Sequence, residues 1–112
     1  MTFEEYQKEA SKTDHSIGCQ TVSDQFFSIV LGLAGEIGEV SEKFKKIYWH
    51  KKGAWDEEDK KAISKEIGDI LWYLSSISNH LEIPLEQIAK ENLEKLKSRV
   101  ERNVHLGWGD NR

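Results

Sequence analysis

The 112-residue sequence has little proline, little cysteine and no long apolar run. Pro84 is its one proline, where an average composition would give about five or six, and this scarcity favours long helices over a proline-rich linker. Cys19 is its one cysteine, which excludes an intramolecular disulfide and a cysteine zinc site. No run approaches the roughly 18 apolar residues of a membrane span, and the acidic N-terminus is unlike a signal peptide. We therefore expect a cytoplasmic protein without a membrane partner.

The charge balance and the length narrow the function classes further. Sixteen Lys and Arg against 20 Asp and Glu give a formal charge of −4, which argues against a non-specific nucleic-acid partner. The length predicts one domain over residues 1–112. A chain this short buries only roughly 60–68% of its unfolded surface. A helical protein of this size often shares its core with a second copy, which is the state we expect here.

The apolar periodicity predicts an all-α, four-helix bundle-like fold. The predicted helices span about 2–12, 23–48, 56–81 and 84–103, with connections between them and an aperiodic tail. Thr2 and Glu5 form a capping-box pattern, and Asp56 is the predicted N-cap of the third helix. Pro84 is predicted just inside the fourth. The predicted core arcs of the two central helices are Phe26, Ile29, Val30, Leu33, Ile37, Val40, Phe44 and Ile47, and Ile63, Ile67, Ile70, Leu71, Leu74, Ile77 and Leu81.

Each central helix carries a pair of acidic residues beside its core arc. Glu36 and Glu39 lie one turn apart at a flank where a carboxylate is half-buried, whereas Glu42 is opposite the core and solvated. The third helix places Glu66 and Asp69 in the same way. If the two helices are antiparallel neighbours, four carboxylates converge and require a countercharge. Ligands that offer only oxygen favour Mg²⁺ or Mn²⁺.

A simpler interpretation is that these residues form solvated helix faces, since acidic pairs at this spacing are common. Two pairs beside the core, together with glycines inside the helices, favour a site. Each interior glycine costs about 1 kcal/mol relative to alanine, so these glycines indicate close helix approach or a ligand near the backbone. Tight packing alone is the alternative. The glycines are Gly32, Gly35, Gly38 and Gly68.

The two acidic segments, Gly35–Val40 and Glu66–Leu71, resemble the ExxE and ExxD signature of the MazG-like nucleotide pyrophosphohydrolase family. The fourth helix adds Asn92–Arg99, which is similar to the family's NxxKLxxR segment. The beginning of the chain and its end, Gly109–Arg112, resemble short, phage-type members. The resemblance thus covers almost the whole chain.

This resemblance implies an all-α protein that assembles as a homodimer or homotetramer. It implies Mg²⁺-dependent hydrolysis of a nucleoside triphosphate substrate to the monophosphate and pyrophosphate, in clearing non-standard nucleotides or adjusting deoxynucleotide pools. The implied Mg²⁺ ligands are Glu36, Glu39, Glu66 and Asp69, and one of the first two glutamates is expected to orient the attacking water. Phosphoanhydride hydrolysis needs charge neutralisation and a positioned water, and a carboxylate cluster with bound Mg²⁺ supplies both.

The substrate contacts are predicted less sharply. Lys95 and Arg99 are candidates for the phosphates, with an ordinary charged helix face as the alternative. Arg112 is expected either to fold back over a site, that of a neighbouring subunit included, or to belong to a disordered tail. The basic run Lys45–Lys52 either screens the triphosphate or is a solvated loop. Candidates for contact with the nucleobase are Phe3, Tyr6, Gln7, Trp49, Trp72, Tyr73 and Asn92.

Three alternatives compete with this interpretation. A di-iron carboxylate bundle would need Glu-x-x-His on two helices, which this sequence lacks. A non-enzymatic helical interaction module explains the amphipathic helices but not the paired carboxylates. Within the resembled superfamily, a dimeric dUTPase and a phosphoribosyl-ATP pyrophosphohydrolase use related sites.

Overall fold

Four α-helices make up the fold. The computed structural model describes residues 1–16, 22, 24–103 and 107–109. The helices are α1 (Phe3–Ser11), α2 (Asp24–His50), α3 (Glu57–His80) and α4 (Leu85–Glu101). These residues include no strand, and the all-α prediction is confirmed. Within this part of the chain, no helix combines the length and apolarity needed to cross a membrane. Cys19, Ser23 and Arg112 lie outside the described residues.

Local capping sets the beginnings of α1 and α3. The Thr2 hydroxyl accepts from the Glu5 backbone N–H at 3.1 Å, and the Glu5 carboxylate accepts from the Thr2 N–H at 3.2 Å. Asp56 and Asp59 form the same reciprocal pair at 2.9 and 3.0 Å. Each pair satisfies backbone donors that have no partner inside the helix. Both predicted caps are confirmed.

A tertiary contact sets the beginning of α4. Pro84 was predicted just inside this helix, but it occupies the N-cap position with an extended ψ of 133°. The backbone N–H of Leu85 donates to Gln7 Oε1 at 2.9 Å. Gln7 belongs to α1, so a side chain from the first helix caps the fourth. Sequence periodicity could not show this contact, because it joins residues far apart in the chain.

The two long helices form an antiparallel pair, and the other two pack beside α3. Three contacts give the register of the pair: the ring of Phe26 lies 4.6 Å from that of His80, Gly32 faces Tyr73, and Lys43 approaches Glu66 at 3.4 Å. α1 contacts α3 and α4, and α4 contacts α3. Within the described residues α4 makes no contact with α2. Because neither α1 nor α4 contacts α2 within the described residues, these two helices leave part of the groove between α2 and α3 open.

The buried interior of the single chain is small and partly polar. Its buried apolar side chains, within the described residues, are Ile47, Ile63 and Leu85. On α3 the most deeply buried residues are Ser75, Ser76 and Ser78, because α1 and the α3–α4 turn cover that side of the helix. Small side chains allow these elements to approach α3 closely.

The predicted core arcs are only partly buried, which corrects the sequence interpretation. Six of their members are exposed, namely Val30, Ile37, Phe44, Ile67, Leu74 and Leu81. The accessible surface is 8673 Å², whereas a compact monomer of this mass exposes about 6,300 Å². The radius of gyration is 16.9 Å, against about 13 Å for a compact domain of this length. The arcs are apolar, but no described residue covers the exposed part of their area.

Candidate metal-dependent active site

Three carboxylates from two helices meet in the groove between α2 and α3. Glu36, Glu66 and Asp69 each offer one oxygen, and these three oxygens lie within 4.8 Å of one another. Glu36 and Glu66 are half-buried, whereas Asp69 is exposed. Glu66 and Asp69 are one turn apart on α3, so they share the side that faces Glu36. The predicted convergence of acidic groups thus occurs for three of the four.

Electrostatic repulsion disfavours the ionisation of all three carboxylates at the same time. The pKa of Glu36 is raised from its ordinary value by a hydrogen bond shared with Glu66, then by partial removal from water. The charges of Asp69, Glu66 and Glu39 raise it further. Either a shared proton or a cation can relieve such repulsion. A donor set made only of carboxylate oxygens fits a hard divalent cation such as Mg²⁺ or Mn²⁺.

Glu39 does not belong to the group of three. It was predicted to be half-buried beside the core, but its side chain is exposed. The single neighbouring helix covers a narrower arc of α2 than a full core would, and Glu39 lies beyond it. Its charge still contributes to the raised pKa of Glu36. Its role as a Mg²⁺ ligand stays a prediction, whereas Glu42 is exposed, as predicted, and pairs with Lys45 at 3.6 Å.

Sequence reasoning missed a cation at the edge of the cluster. Lys43 Nζ lies 3.4 Å from Glu66 Oε1, and both side chains are largely buried. Lys43 follows Glu36 by seven residues, or two helical turns, and therefore points to the same side of α2. That spacing is the signal that could have identified it. Lys43 places a positive charge next to carboxylates that also repel one another.

Tyr73 packs against the backbone of α2. A Cβ placed on Gly32 would lie 2.5 Å from Cε1 and Cζ of Tyr73, so the glycine is required for this approach. The predicted close approach is confirmed here. At Gly35, Gly38 and Gly68, however, no described atom beyond the adjacent residues and the nearby backbone of the same helix lies within 4 Å of such a Cβ, so packing among the described residues does not explain those glycines.

A cavity of about 420 Å³ lies between α2, α3 and the segment after α1, and none of the three clustered carboxylates lines it. Trp72 and Ile29 give it apolar walls, and Thr13–Ser16, Gln25 and Ser28 give it polar ones. Trp72 follows Asp69 by one helical turn, and its ring lies 5.1 Å from that of Tyr73. Its indole N–H donates to Thr13 Oγ1 at 2.8 Å. We call this the tryptophan cavity.

Tyr6 is a second aromatic side chain near the cluster. Its pKa is raised by burial and by the charge of Asp69. This interaction places the phenol of α1 within electrostatic reach of the carboxylates.

The predicted substrate contacts on α4 lie apart from Glu36. Arg99 is buried, and its Nη2 donates to the Gly109 carbonyl at 3.3 Å. Lys95 is half-buried and Asn92 is exposed. All three belong to α4, which makes no contact with α2 within the described residues. Their roles, like that of Arg112, stay predictions.

Gln7, another predicted substrate contact, joins three helices in the structure. Its Nε2 donates to Asn79 Oδ1 at 2.7 Å, and its Oε1 accepts from the Leu85 N–H at 2.9 Å. Both ends of its amide therefore bind the chain itself. A role for Gln7 in substrate binding stays a prediction.

A buried acidic network that the sequence did not reveal forms one wall of the tryptophan cavity. Asp14 accepts hydrogen bonds from the backbone and hydroxyl of Ser16, at 2.9 and 2.5 Å, and from the Ser76 hydroxyl at 2.5 Å. Ser16 Oγ also lies 2.8 Å from His80 Nε2. Burial raises the pKa of Asp14, but the hydrogen bonds from the two serines, together with the charge of His80, outweigh it and hold this pKa below its ordinary value.

The fold and the cluster together define an all-α protein with an oxygen-only candidate cation site. The sequence profile of the MazG nucleotide pyrophosphohydrolase domain matches residues 25–104, which include all four residues of the ExxE and ExxD pairs. The chain belongs to this family, and the resemblance is confirmed. The Gene 37 protein of Mycobacterium phage L5 is 40% identical over 84 residues, which cover 75% of this chain and 74% of that protein. No solved structure matches the chain.

Proposed function

We propose that this chain hydrolyses (deoxy)nucleoside triphosphates to the nucleoside monophosphate and pyrophosphate, and that it serves in nucleotide-pool sanitation or adjustment. The observation that carries the proposal is the convergence of Glu36, Glu66 and Asp69 within 4.8 Å in a family of nucleotide pyrophosphohydrolases. These residues would hold Mg²⁺, with Mn²⁺ as a substitute. A bound Mg²⁺ neutralises phosphate oxygens and polarises the phosphorus that is attacked.

Glu39 is the carboxylate proposed to hold the attacking water. It lies one turn from Glu36 and is exposed, so it can accept a proton from a water that approaches from solvent. The water oxygen bonds to the α-phosphorus, and the bond from that phosphorus to the bridging oxygen breaks. Pyrophosphate leaves with the electron pair, and the proton passes through Glu39 to solvent. Each turnover consumes one water and one nucleotide.

The tryptophan cavity is the proposed place for the nucleoside. Its volume, about 420 Å³, falls in the usual range of roughly 300–1,000 Å³ for small-molecule sites. Trp72 offers an aromatic ring, and the Tyr73 ring packs against it nearly at a right angle, with the ring centroids 5.1 Å apart. The hydroxyl and amide groups on the opposite wall can read the edge of a base or the sugar. The α-phosphate would then lie about one helical turn away, at the carboxylates.

The active protein is proposed to be a cytoplasmic homodimer or homotetramer. The exposed apolar arcs of α2 and α3 support association. Association would also allow Asn92, Lys95, Arg99 and Arg112 to contact a substrate held by a neighbouring subunit, since α4 lies apart from α2 in its own chain.

Product analysis tests the proposal. The purified protein is incubated with Mg²⁺ and a panel of ribo- and deoxynucleoside triphosphates, and the products are separated. Monophosphate with pyrophosphate in equal amounts supports the proposal. Diphosphate with orthophosphate, or no turnover of any nucleotide, would refute it. A chelator in a parallel reaction should abolish turnover, and added Mn²⁺ should restore it.

A further inference from the structure

A second cavity lies at the opposite end of the α2–α3 groove, and its walls are mostly basic. Its volume is about 220 Å³. The end of α2 and the residue after it contribute Lys43, Lys46, His50 and Lys51, and α3 contributes Asp59 and Ala62. We call this the basic cavity. Part of the basic run Lys45–Lys52 lines it. The sequence alone did not decide whether that run contacts phosphate or forms a solvated loop.

The helical register makes the basic cavity continuous with the carboxylate cluster. Lys43, Lys46 and His50 are spaced by three and four residues, so they share one face of α2. Lys43 lines the cavity and also lies 3.4 Å from Glu66. One lysine therefore contacts both sites, and a ligand at the carboxylates reaches the basic cavity within one further turn of the helix.

One lysine of this cavity, Lys46, is left without an ion pair to any described residue. Lys51 pairs with Asp56 at 2.9 Å and Asp59 at 2.7 Å, and Lys43 pairs with Glu66. Lys46 forms no ion pair with any described residue, although it lines the cavity beside other cations. Lys45, its neighbour in sequence, lies outside the cavity and pairs with Glu42 at 3.6 Å. An anion would relieve the repulsion that Lys46 experiences.

The volume of the cavity fits a small ligand, and its basic side chains favour an anion. At about 220 Å³ it is smaller than the roughly 300–1,000 Å³ of sites that hold whole small molecules. Along the groove, the tryptophan cavity, the carboxylates and the basic cavity follow one another. A nucleoside in the first and the scissile phosphate at the second would direct the remaining two phosphates into the third.

We infer that the basic cavity binds the β- and γ-phosphates, which leave as pyrophosphate, through Lys43 and Lys46. The inference rests on the proposed hydrolysis and deepens it. The leaving group gains negative charge as the bond to the α-phosphorus breaks, and fixed cations beside it stabilise that charge. Lys43 exchanges its contact with Glu66 for a phosphate oxygen, and Lys46 holds the terminal phosphate. His50 completes the rim.

Pyrophosphate itself is the probe for this site, so the test does not need the preferred nucleotide. Isothermal titration calorimetry measures pyrophosphate binding to the full chain in the presence of Mg²⁺. Lys46→Met should weaken this binding about tenfold, since a charge-assisted contact is lost. Lys46→Arg should keep most of it. Lys45→Met removes an adjacent charge outside the cavity and should leave the affinity unchanged. Lys46 is exposed, so circular dichroism should show an intact fold in each variant.

Several outcomes would overturn the inference. Equal pyrophosphate affinity in the wild type and Lys46→Met would do so, and so would equal losses in Lys46→Met and Lys45→Met. Orthophosphate that binds as tightly as pyrophosphate would show a general anion site instead. The product analysis of the wild type judges the proposed hydrolysis separately. In an active enzyme, inhibition by pyrophosphate should weaken about tenfold in Lys46→Met, while inhibition by the monophosphate product stays constant.

Discussion

Glu36 and Glu39 lie one turn apart on α2, but their surroundings in the structure differ. Glu36 is one of three clustered carboxylates, whereas Glu39 is exposed outside that group. We expect Glu36→Gln to weaken Mn²⁺ binding and to lower turnover by about a hundredfold or more. We expect Glu39→Gln to lower turnover similarly while it retains most of the Mn²⁺ affinity. Calorimetric Mn²⁺ titration and a pyrophosphate-release assay measure the two effects.

Glu42→Gln is the matched control for both variants. Glu42 lies on the same helix and is exposed, and it pairs with Lys45 away from the cluster. The Glu42→Gln substitution should change neither the Mn²⁺ affinity nor the turnover. If Glu39→Gln loses Mn²⁺ affinity as strongly as Glu36→Gln does, then Glu39 is a ligand and the assignment of the water to it is wrong.

The buried carboxylate of Asp14 predicts a stability that depends on pH. Its pKa is lower in the folded protein than in the unfolded chain, so its contribution is present above the unfolded pKa of about 3.9 and is lost as pH falls through the folded pKa. Ser76→Ala removes one donor to Asp14 and should cost about 1–3 kcal/mol at neutral pH. Urea unfolding at pH 7 and at about pH 2.5, below the unfolded pKa, measures both the loss and its decrease in acid.

Ser64→Ala provides the comparison for this change. Ser64 is an exposed serine of the same helix. The Ser64→Ala substitution should therefore leave the urea midpoint almost unchanged. A Ser76→Ala variant as stable as wild type at pH 7 would show that the bond from Ser76 to Asp14 contributes nothing to folding.

These residues also show what the sequence could and could not reveal about the site. Spacing identified Glu36, Glu66 and Asp69, because i, i+3 pairs beside an apolar arc must face a neighbouring helix. The same spacing could not show that Glu39 is exposed, since that depends on how far α3 extends around α2. Asp14 was not identified because it lies in the segment after α1, which has no periodic pattern, and because its partner Ser76 is 62 positions away.

At the scale of elements, the pairing of α2 and α3 depends on the contact between Gly32 and Tyr73. Gly32→Ala would place a methyl group 2.5 Å from the Tyr73 ring, so we expect a loss of about 1–3 kcal/mol from overpacking. In a Tyr73→Ala background the ring is absent, and Gly32→Ala should then cost much less. Thermal or urea unfolding of the four proteins in this double-mutant cycle measures the coupling.

Gly35→Ala tests whether any glycine-to-alanine change in this part of α2 would destabilise the protein as Gly32→Ala does. No described atom beyond the adjacent residues and the nearby backbone of α2 lies within 4 Å of a Cβ at Gly35, so this variant should not show coupling to Tyr73. Additive losses across the Gly32 and Tyr73 cycle would mean that the two residues do not touch in solution.

The helix boundaries were the most predictable elements of the fold. The Thr2 and Asp56 caps are local, since donor and acceptor are three residues apart, and both were identified from the sequence. The beginning of α4 was placed one residue early because its first N–H depends on Gln7, 78 positions away. Local chemistry therefore predicts the elements, and long-range contacts set the remaining detail.

At the scale of the whole molecule, the single chain leaves regularly spaced apolar side chains exposed on α2 and α3. Seven exposed residues recur every three or four positions along α2, the spacing of a helix that packs against a partner helix. They are Phe27, Val30, Ala34, Ile37, Ser41, Phe44 and Tyr48. Exposed Ile67, Leu74 and Leu81 recur every seven positions on α3. The core arcs predicted from the sequence are therefore apolar faces, as expected, but only part of each is buried within the single chain.

This surface predicts that the protein associates in solution through α2 and that a charge on this surface disrupts association. Ile37 lies midway along the exposed row and is 50% exposed in the single chain. Full burial of such a side chain contributes about 1.5–3 kcal/mol, so burial of the exposed half of Ile37 adds about half of that, and symmetry repeats the gain in a dimer. Wild type should show the mass of two or four chains by light scattering, and Ile37→Lys should shift it toward one. Glu101→Lys, an exposed change at the end of α4, should not. A wild-type protein with the mass of a single chain at micromolar concentration would contradict association and leave the apolar row on α2 without a partner.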